Sequence, residues 1–451
     1  MVASYQPGGT TIAKNNPFFQ NLGTNGRTCF TCHQPQTGWA ISAQSAQSRF
    51  DQTGSADPLF RLVDGATCPS DDVSSPTAQR KAYLLLLEKG LFRIGLAMPA
   101  NTQFEVTAVD DPYNCTTNPI TGLISPTAGI VSVYRRPLPS TNLNFLSTIM
   151  WDGREPTLAH QALDATLTHA QGNNPGPTTA QQNQIVAFES GVYTAQIFDN
   201  DAHKLLAPPS SVTVTKPIPE SSPLQCADTT IEQTGGPHAL AQLAQDFFIG
   251  INDPLGQNPC ATPFTSNIFD LYEGWSNLAR NDPETAHRKS IERGEELFNT
   301  RPIVITGVAG LNDVLHETQI TGTCGTCHDA PNVGDHSVKA PLNIGVTDAN
   351  PGPIGLDISG LPVFTLTCTS GPLAGQIFHT TDPGRALISG NCADIGKTKG
   401  PILRGLAARA PYFHNGSAAT LMGALNFYND RFNIGFTDQE KQDLVNFLEA
   451  L

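Results

Sequence analysis

A mainly α-helical chain in two halves, each organised around one cysteine motif and interrupted by loop-rich, disulfide-stapled insertions, is the fold class this sequence predicts. Three observations predict it. Cys29-Phe30-Thr31-Cys32-His33 and Cys324-Gly325-Thr326-Cys327-His328 are two copies of one pattern, placed in opposite halves of the chain. Helix start signals and helical apolar spacing recur around them. The 40 Gly and 35 Pro among 451 residues, with only 15% charged, leave long irregular connections between modest helices.

Cys-x-x-Cys-His is the attachment unit of a c-type haem. The two thiols add across the porphyrin vinyl groups, and the adjacent His takes the proximal face of the iron. A single copy would also suit a redox dithiol or half a zinc site. Two copies, each followed directly by His and with no other Cys-x-x-Cys pair, point instead to two covalently bound haems c. Cys29, Cys32, Cys324 and Cys327 then carry the porphyrins, with His33 and His328 as iron ligands. Each half is expected to be a cytochrome c-like haem domain. The first spans 1–282, with insertions at 51–130 and 196–266. The second spans 283–451, and the linker falls near 280–286.

The elements follow in order. The Leu-rich stretch from Gln79 to Leu96 predicts an amphipathic helix. Val212 to Thr215 alternates in strand fashion, which suits a small hairpin, although surface loops are the favoured reading of both insertions. Asp282-Pro283 supplies an N-cap and a first-turn Pro, starting a helix that carries Glu295 and Phe298 toward the second motif. Thr437 and Glu440 form a capping box, and Leu444, Val445, Phe447 and Leu448 recur at helical spacing up to Leu451.

Six cysteines lie outside the motifs. Haem attachment of this kind takes place outside the cytoplasm, where thiols oxidise. Proximity alone predicts the pairs Cys68–Cys115, Cys226–Cys260 and Cys368–Cys392, although six cysteines admit many pairings. A periplasmic location is expected, with an export signal already removed, because Met1-Val2-Ala3-Ser4 has neither a charged nor an apolar signal region. The formal charge of −14 argues against nucleic acid and suits a basic redox partner. No apolar run reaches the roughly 18 residues of a membrane span.

Further landmarks come after the first motif. Trp151-Asp152-Gly153-Arg154 lies between the two motifs. Pro401-Ile402-Leu403-Arg404, then Ala410-Pro411-Tyr412-Phe413-His414-Asn415-Gly416-Ser417, then Ala419-Thr420-Leu421 and the last helix follow the second. With them the chain resembles the bacterial di-haem cytochrome c peroxidase/MauG family, over roughly 15–50, 132–195 and 267–451. The insertions have no counterpart in the short peroxidases. The resemblance implies a reactive first haem with His33 proximal and a relay haem with His328 proximal. It implies that Trp151 sits between the haems and relays electrons, and that Arg404 and His414 hold propionates or brace the interface. Trp39 and Trp275 lack that context and read as packing residues.

The same resemblance implies a loop His that blocks the reactive iron at rest. No His occurs between His33 and His160, so an open first haem is expected. The family's distal carboxylate position falls on Gln171, as in MauG-like members, and an amide accepts protons poorly. His169 is the nearby titratable group; its other reading is an exposed loop histidine or a propionate partner. The relay haem's sixth ligand falls on Tyr428, a hard anionic donor that lowers the potential relative to a thioether. The other reading of Tyr428 is a buried core aromatic. An interdomain calcium is also implied, but Arg136 and Arg409 occupy two of its ligand positions, so it is expected to be absent or displaced.

The expected activity is therefore oxidation driven by hydrogen peroxide at the first haem. Oxidising equivalents would be shared through Trp151, including storage as Fe(IV) on both haems, and passed to a partner cytochrome or a protein substrate. Two alternatives stay open. A pure electron-transfer cytochrome predicts six-coordinate haems and no rapid peroxide reaction. A haem oxygenase acting on an organic substrate predicts a stable ferrous–oxygen complex and an apolar channel to the first haem.

Overall fold

The C-terminal half is built on two packed helices whose starts are written in their caps. Asp282 accepts the Thr285 amide at 2.8 Å and Pro283 fills the first turn of Pro283–Thr300. Thr437 and Glu440 cap Asp438–Ala450 reciprocally, with the Glu440 carboxylate accepting the Thr437 amide at 2.7 Å. A Cβ on Gly294 would stand 2.1 Å from the Asp443 carbonyl oxygen, so only glycine lets the two helices approach this closely. Arg293 and Ser290 clamp the Asp443 carboxylate at the same crossing. Phe269, Tyr272, Phe298 and Phe447 fill the core beneath, and Trp275 joins them as a packing residue.

The structure, a computed structural model, describes residues 1–115, 129–205, 235–256, 258–349 and 355–451 in full. Of strands Ile124–Ser125, Ser210–Ile218 and Gln225–Gln233 it describes the backbone. In the N-terminal half, helices Leu158–Thr168 and Thr179–Ser190 pack beside the first motif, sharing an aromatic core with Phe18, Trp39 and Phe188. Among the described residues no helix is long and apolar enough to cross a membrane.

The expectation of a mainly α chain with looping insertions holds only in part. The stretch 79–96 is not one helix. Pro76–Ala82 and Leu84–Lys89 are separate turns, Gly90 ends the second at φ 64°, and Phe92–Ala97 runs as a strand paired with Ile130–Arg135. Phe104–Asp110 pairs antiparallel with Val363–Cys368, which pairs in turn with Ile377–Thr380. Phe104, Phe364 and Leu366 are inward-facing residues of these strands, and with Leu96, Val131 and Val133 they form a separate buried core. The physical reason is alternation: each strand has one apolar face, and strands from both halves of the chain bury those faces against one another. Ser210–Ile218 and Gln225–Gln233 form an antiparallel hairpin where loops were favoured.

Two predicted disulfides staple this β core. Cys68–Cys115 has a Cα separation of 5.5 Å and Cys368–Cys392 one of 6.1 Å. The predicted pair Cys226–Cys260 falls outside the described residues, because the Cys226 side chain is not among them. The second motif is a single turn at Cys324–Thr326; the chain then runs mostly in irregular segments and short strands until helices Leu421–Arg431 and Asp438–Ala450.

Candidate functional site

Both motifs are folded by the same local device. Thr28 and Thr323 precede them, and in each case the backbone amide of that Thr donates to the hydroxyl of the Thr three residues on, Thr31 at 2.9 Å and Thr326 at 3.0 Å. This capping closes one turn and sets the two cysteines and the histidine on it. The histidine is then oriented from outside. His33 Nδ1 donates to the Trp39 carbonyl at 2.9 Å, and His328 Nδ1 to the Gly334 carbonyl at 2.6 Å. Each acceptor stands six residues after its His and lies in the left-handed region, Trp39 at φ 57° and Gly334 at φ 76°. Burial lowers both imidazoles below their usual range. With Nδ1 committed to a carbonyl, Nε2 is the nitrogen left to meet a metal.

Sequence reasoning missed these supports. The repeat Thr-Cys-x-Thr-Cys-His was visible in both copies and signalled the caps. Nothing local signalled that Trp39 works through its carbonyl. Its ring does pack as expected, among Phe18, Phe30 and Phe188, and its Nε1 donates to Ser4 at 2.8 Å.

Beside Cys29, Cys32 and His33 opens a cavity walled mostly by apolar side chains, among them Leu143, Leu146, Ile149, Met150 and Leu158. Arg135, Arg136, Arg154 and Trp151 also line it. Glu189, which the sequence did not single out, is buried in its wall. Burial pushes its carboxyl up to about 8 although Ser140 hydrogen-bonds to it, and Oε2 has no partner.

Three further cations suit anionic groups not supplied by the chain. Arg136, Arg404 and Arg409 are all buried, and among the described residues none is in an ion pair with a carboxylate. Among the described residues, Arg136 Nε, Arg404 Nε and His414 Nε2 have no hydrogen-bond partner. Unpaired buried cations are costly. The cavity, the two thiols, the free Nε2 and these orphaned donors fit a covalently attached porphyrin with propionates.

Trp151 stands where the halves meet. It lines the first cavity, its Nε1 donates to the Arg136 carbonyl at 2.8 Å, and its own carbonyl accepts the Lys399 amide at 2.9 Å. Its ring is edge-on to His414, with centroids 6.0 Å apart. Next to it, Arg135 bridges the halves. It donates to Asp382 at 2.7 and 2.9 Å and to Asp152 at 2.5 Å. Both carboxylates are fully buried. Burial alone would raise them, but Arg135 outweighs it and holds both below the usual range. Burial lowers His414 to about 4, against the pull of Asp382.

The structure does not bring Gln171 to the cavity. The residue is exposed in a left-handed turn at φ 53° that ends its helix, and its carbonyl accepts from Thr24. Counting from Trp151 without gaps reached that turn, and the helix end decides which way the side chain is carried. His169, two residues earlier, does line the cavity. Tyr428 lies among Phe413, Phe427 and Phe432, and burial raises its phenol further under the influence of Cys327 and Cys324. Met422 packs against the C-terminal core. Arg136 donates to the carbonyls of Pro411 and, at 2.7 Å, Ile41. Arg409 donates to the carbonyls of Ile402 and Arg404.

No protein-family model matches the chain. A cytochrome-c peroxidase, IdrP2 of Denitromonas iodatirespirans, is 35% identical over 137 residues, covering 29% of this chain and 36% of that relative. IdrP1 of the same organism is 41% identical over 81 residues, covering 16% of this chain and 22% of its own length. IdrP1 of Pseudomonas sp. (strain SCT), also a cytochrome-c peroxidase, is 36% identical over 81 residues, with 16% and 21% covered. Over these stretches the chain is similar to cytochrome c peroxidases. The matched stretches span about a third or less of these relatives' lengths. A solved structure described as a MauG-like protein associated with microbial copper homeostasis overlays 73% of this chain and 77% of its own. The identity there is 17% and the TM-score 0.30, below the level that marks a shared fold. Haem c is the cofactor that the peroxidase relationship implies.

Proposed function

We propose that this peroxidase relative is a periplasmic oxidoreductase that carries two haems c and reacts with hydrogen peroxide at the His33 side. Cys29, Cys32 and His33 hold the first haem. Cys324, Cys327, His328 and Tyr428 hold the second. The haems supply redox-active iron that accepts and donates single electrons. Arg136, Arg404 and His414 offer buried donors to the propionates, and the apolar cavity wall excludes bulk water. Trp151 joins the two sites, and the final oxidant is spent on a partner cytochrome or protein substrate.

One observation carries this reading: Trp151 lines the first cavity and also touches the other half, its ring against His414 and its carbonyl accepting from Lys399. An indole in that position shortens electron transfer between the halves. Its N–H is donated to a peptide carbonyl, which fixes the ring without offering it a base. The Arg136 guanidinium stands on the carbonyls of Pro411 and Ile41, where a bound calcium would compete with it, so we read this junction as working without calcium.

The test is to mix the oxidised holoprotein with one equivalent of hydrogen peroxide and follow optical and Mössbauer spectra. Both haems of the wild type should change together. In Trp151→Phe the change should be confined to the first haem, or reach the second at least about tenfold more slowly. Two unresponsive haems in the wild type would reject peroxide chemistry.

A further inference from the structure

The wall of the first cavity also carries a histidine–carboxylate pair. Leu158, Gln161, Ala165 and His169 fall on one face of the Leu158–Thr168 helix and its C-terminal cap, and all line the cavity that contains His33. His169 ends that row. Its Nδ1 lies 2.5 Å from Asp64 Oδ2, contributed by a segment 105 residues earlier in the chain. Asp64 is 4% exposed, and its other oxygen accepts from Arg27 at 2.5 Å. Burial alone would raise Asp64, but Arg27 and the His169 hydrogen bond outweigh it and hold the carboxyl below its usual range.

An ionised Asp64 accepts from Nδ1–H, so in the neutral imidazole Nε2 is the nitrogen that can take up a proton. The backbone is pinned as well, because the His169 carbonyl accepts from Asn25 at 2.8 Å and from Arg27 at 3.2 Å. His169 itself is half-buried, so Nε2 is not sealed into packing. The charged groups beside it are Asp64 and Arg27; His33, Arg135, Arg136, Arg154 and Glu189 line the same cavity. Glu189 in the same wall lacks this arrangement, having no cationic partner among the described residues.

We infer that Asp64 and His169 form the proton-carrying couple for hydrogen peroxide, with His169 Nε2 as the acid–base atom and Asp64 as the residue that positions it. This rests on the peroxide reading proposed above. Nε2 takes the proton from one peroxide oxygen and returns it to the other, which leaves as water. His169 ends the cycle with the protons it began with. The haems, once attached at the two motifs, would supply the two electrons that break the O–O bond.

Cyanide gives a readout independent of turnover, since hydrogen cyanide must surrender a proton to bind ferric haem as the anion. Stopped-flow cyanide association and peroxide reaction are measured on the holoprotein, on His169→Gln, on His169→Ala with added imidazole, and on His160→Gln. The last removes a histidine of the same helix that pairs with Glu155 and does not line the cavity. His169→Gln should slow both rates roughly 100-fold or more, imidazole should restore much of the loss in His169→Ala, and His160→Gln should match the wild type. Asp64→Asn should slow both rates as well wherever its haem spectrum is intact. Unchanged rates in His169→Gln, or a loss that imidazole does not relieve, overturn the couple. A wild type that binds cyanide with His169 dependence yet ignores peroxide overturns the peroxide reading instead.

Discussion

Arg135→Met removes the one cation that two fully buried carboxylates share across the halves. Arg135 makes two hydrogen bonds to Asp382 and one to Asp152, with its side chain 3% exposed and both carboxylates 0%. Breaking a buried pair by deleting one partner costs about 3–5 kcal/mol, because the remaining charge is left unsolvated. Asp152 keeps Arg154, which donates to it at 3.1 Å. Among the described residues, the Asp382 carboxylate keeps the Gly384 amide and His414 at 3.6 Å. The loss at pH 7 should therefore sit near the lower end, about 3 kcal/mol.

The pH dependence separates this account from simple loss of packing. In the wild type both carboxyls are depressed below their unfolded value near 3.8, so their contribution is present above that pH and fades below it. Without Arg135, burial dominates and raises them. The variant then regains stability relative to wild type as pH falls through those raised values toward 3.8. Guanidinium denaturation of both proteins, at pH 7 and at about pH 4.5, reads the gap directly. A gap under about 1 kcal/mol, or one that does not narrow in acid, refutes the reasoning.

Two further outcomes follow from the same structure. Replacing Cys68 and Cys115 by Ala opens a loop closed over 47 residues, which the chain-entropy relation puts at about 4 kcal/mol of stability lost; a loss under about 1 kcal/mol in chemical denaturation would show that the β core does not depend on this link. Tyr428→Met should raise the second haem's midpoint potential by a tenth or more of the roughly 0.8 V that axial ligands span; a spectroelectrochemical titration with no shift would return Tyr428 to the role of a core aromatic.

What was legible in the sequence was whatever short-range chemistry specifies. The two Cys-x-x-Cys-His units, the Asp282 and Thr437 caps and two of the local disulfides all concern residues close in the chain. The Gln79–Leu96 stretch misled because its Leu run has helical spacing only as far as Gly90, after which pairing with Ile130–Arg135 takes over. Gln171 misled because a gap-free count from Trp151 ignores where the helix stops.

The sequence by itself determined where the two Cys-x-x-Cys-His units lie and where the helices of the C-terminal half begin, since each is encoded within a few residues. Only the tertiary structure decided that strands from both halves share one β core, that Arg135 bridges Asp152 and Asp382, and that Asp64 stands behind His169. The reason is physical: a strand's partner and a buried charge's counter-ion are chosen by burial, which brings together segments separated by a hundred or more residues, and no local pattern records which ones meet.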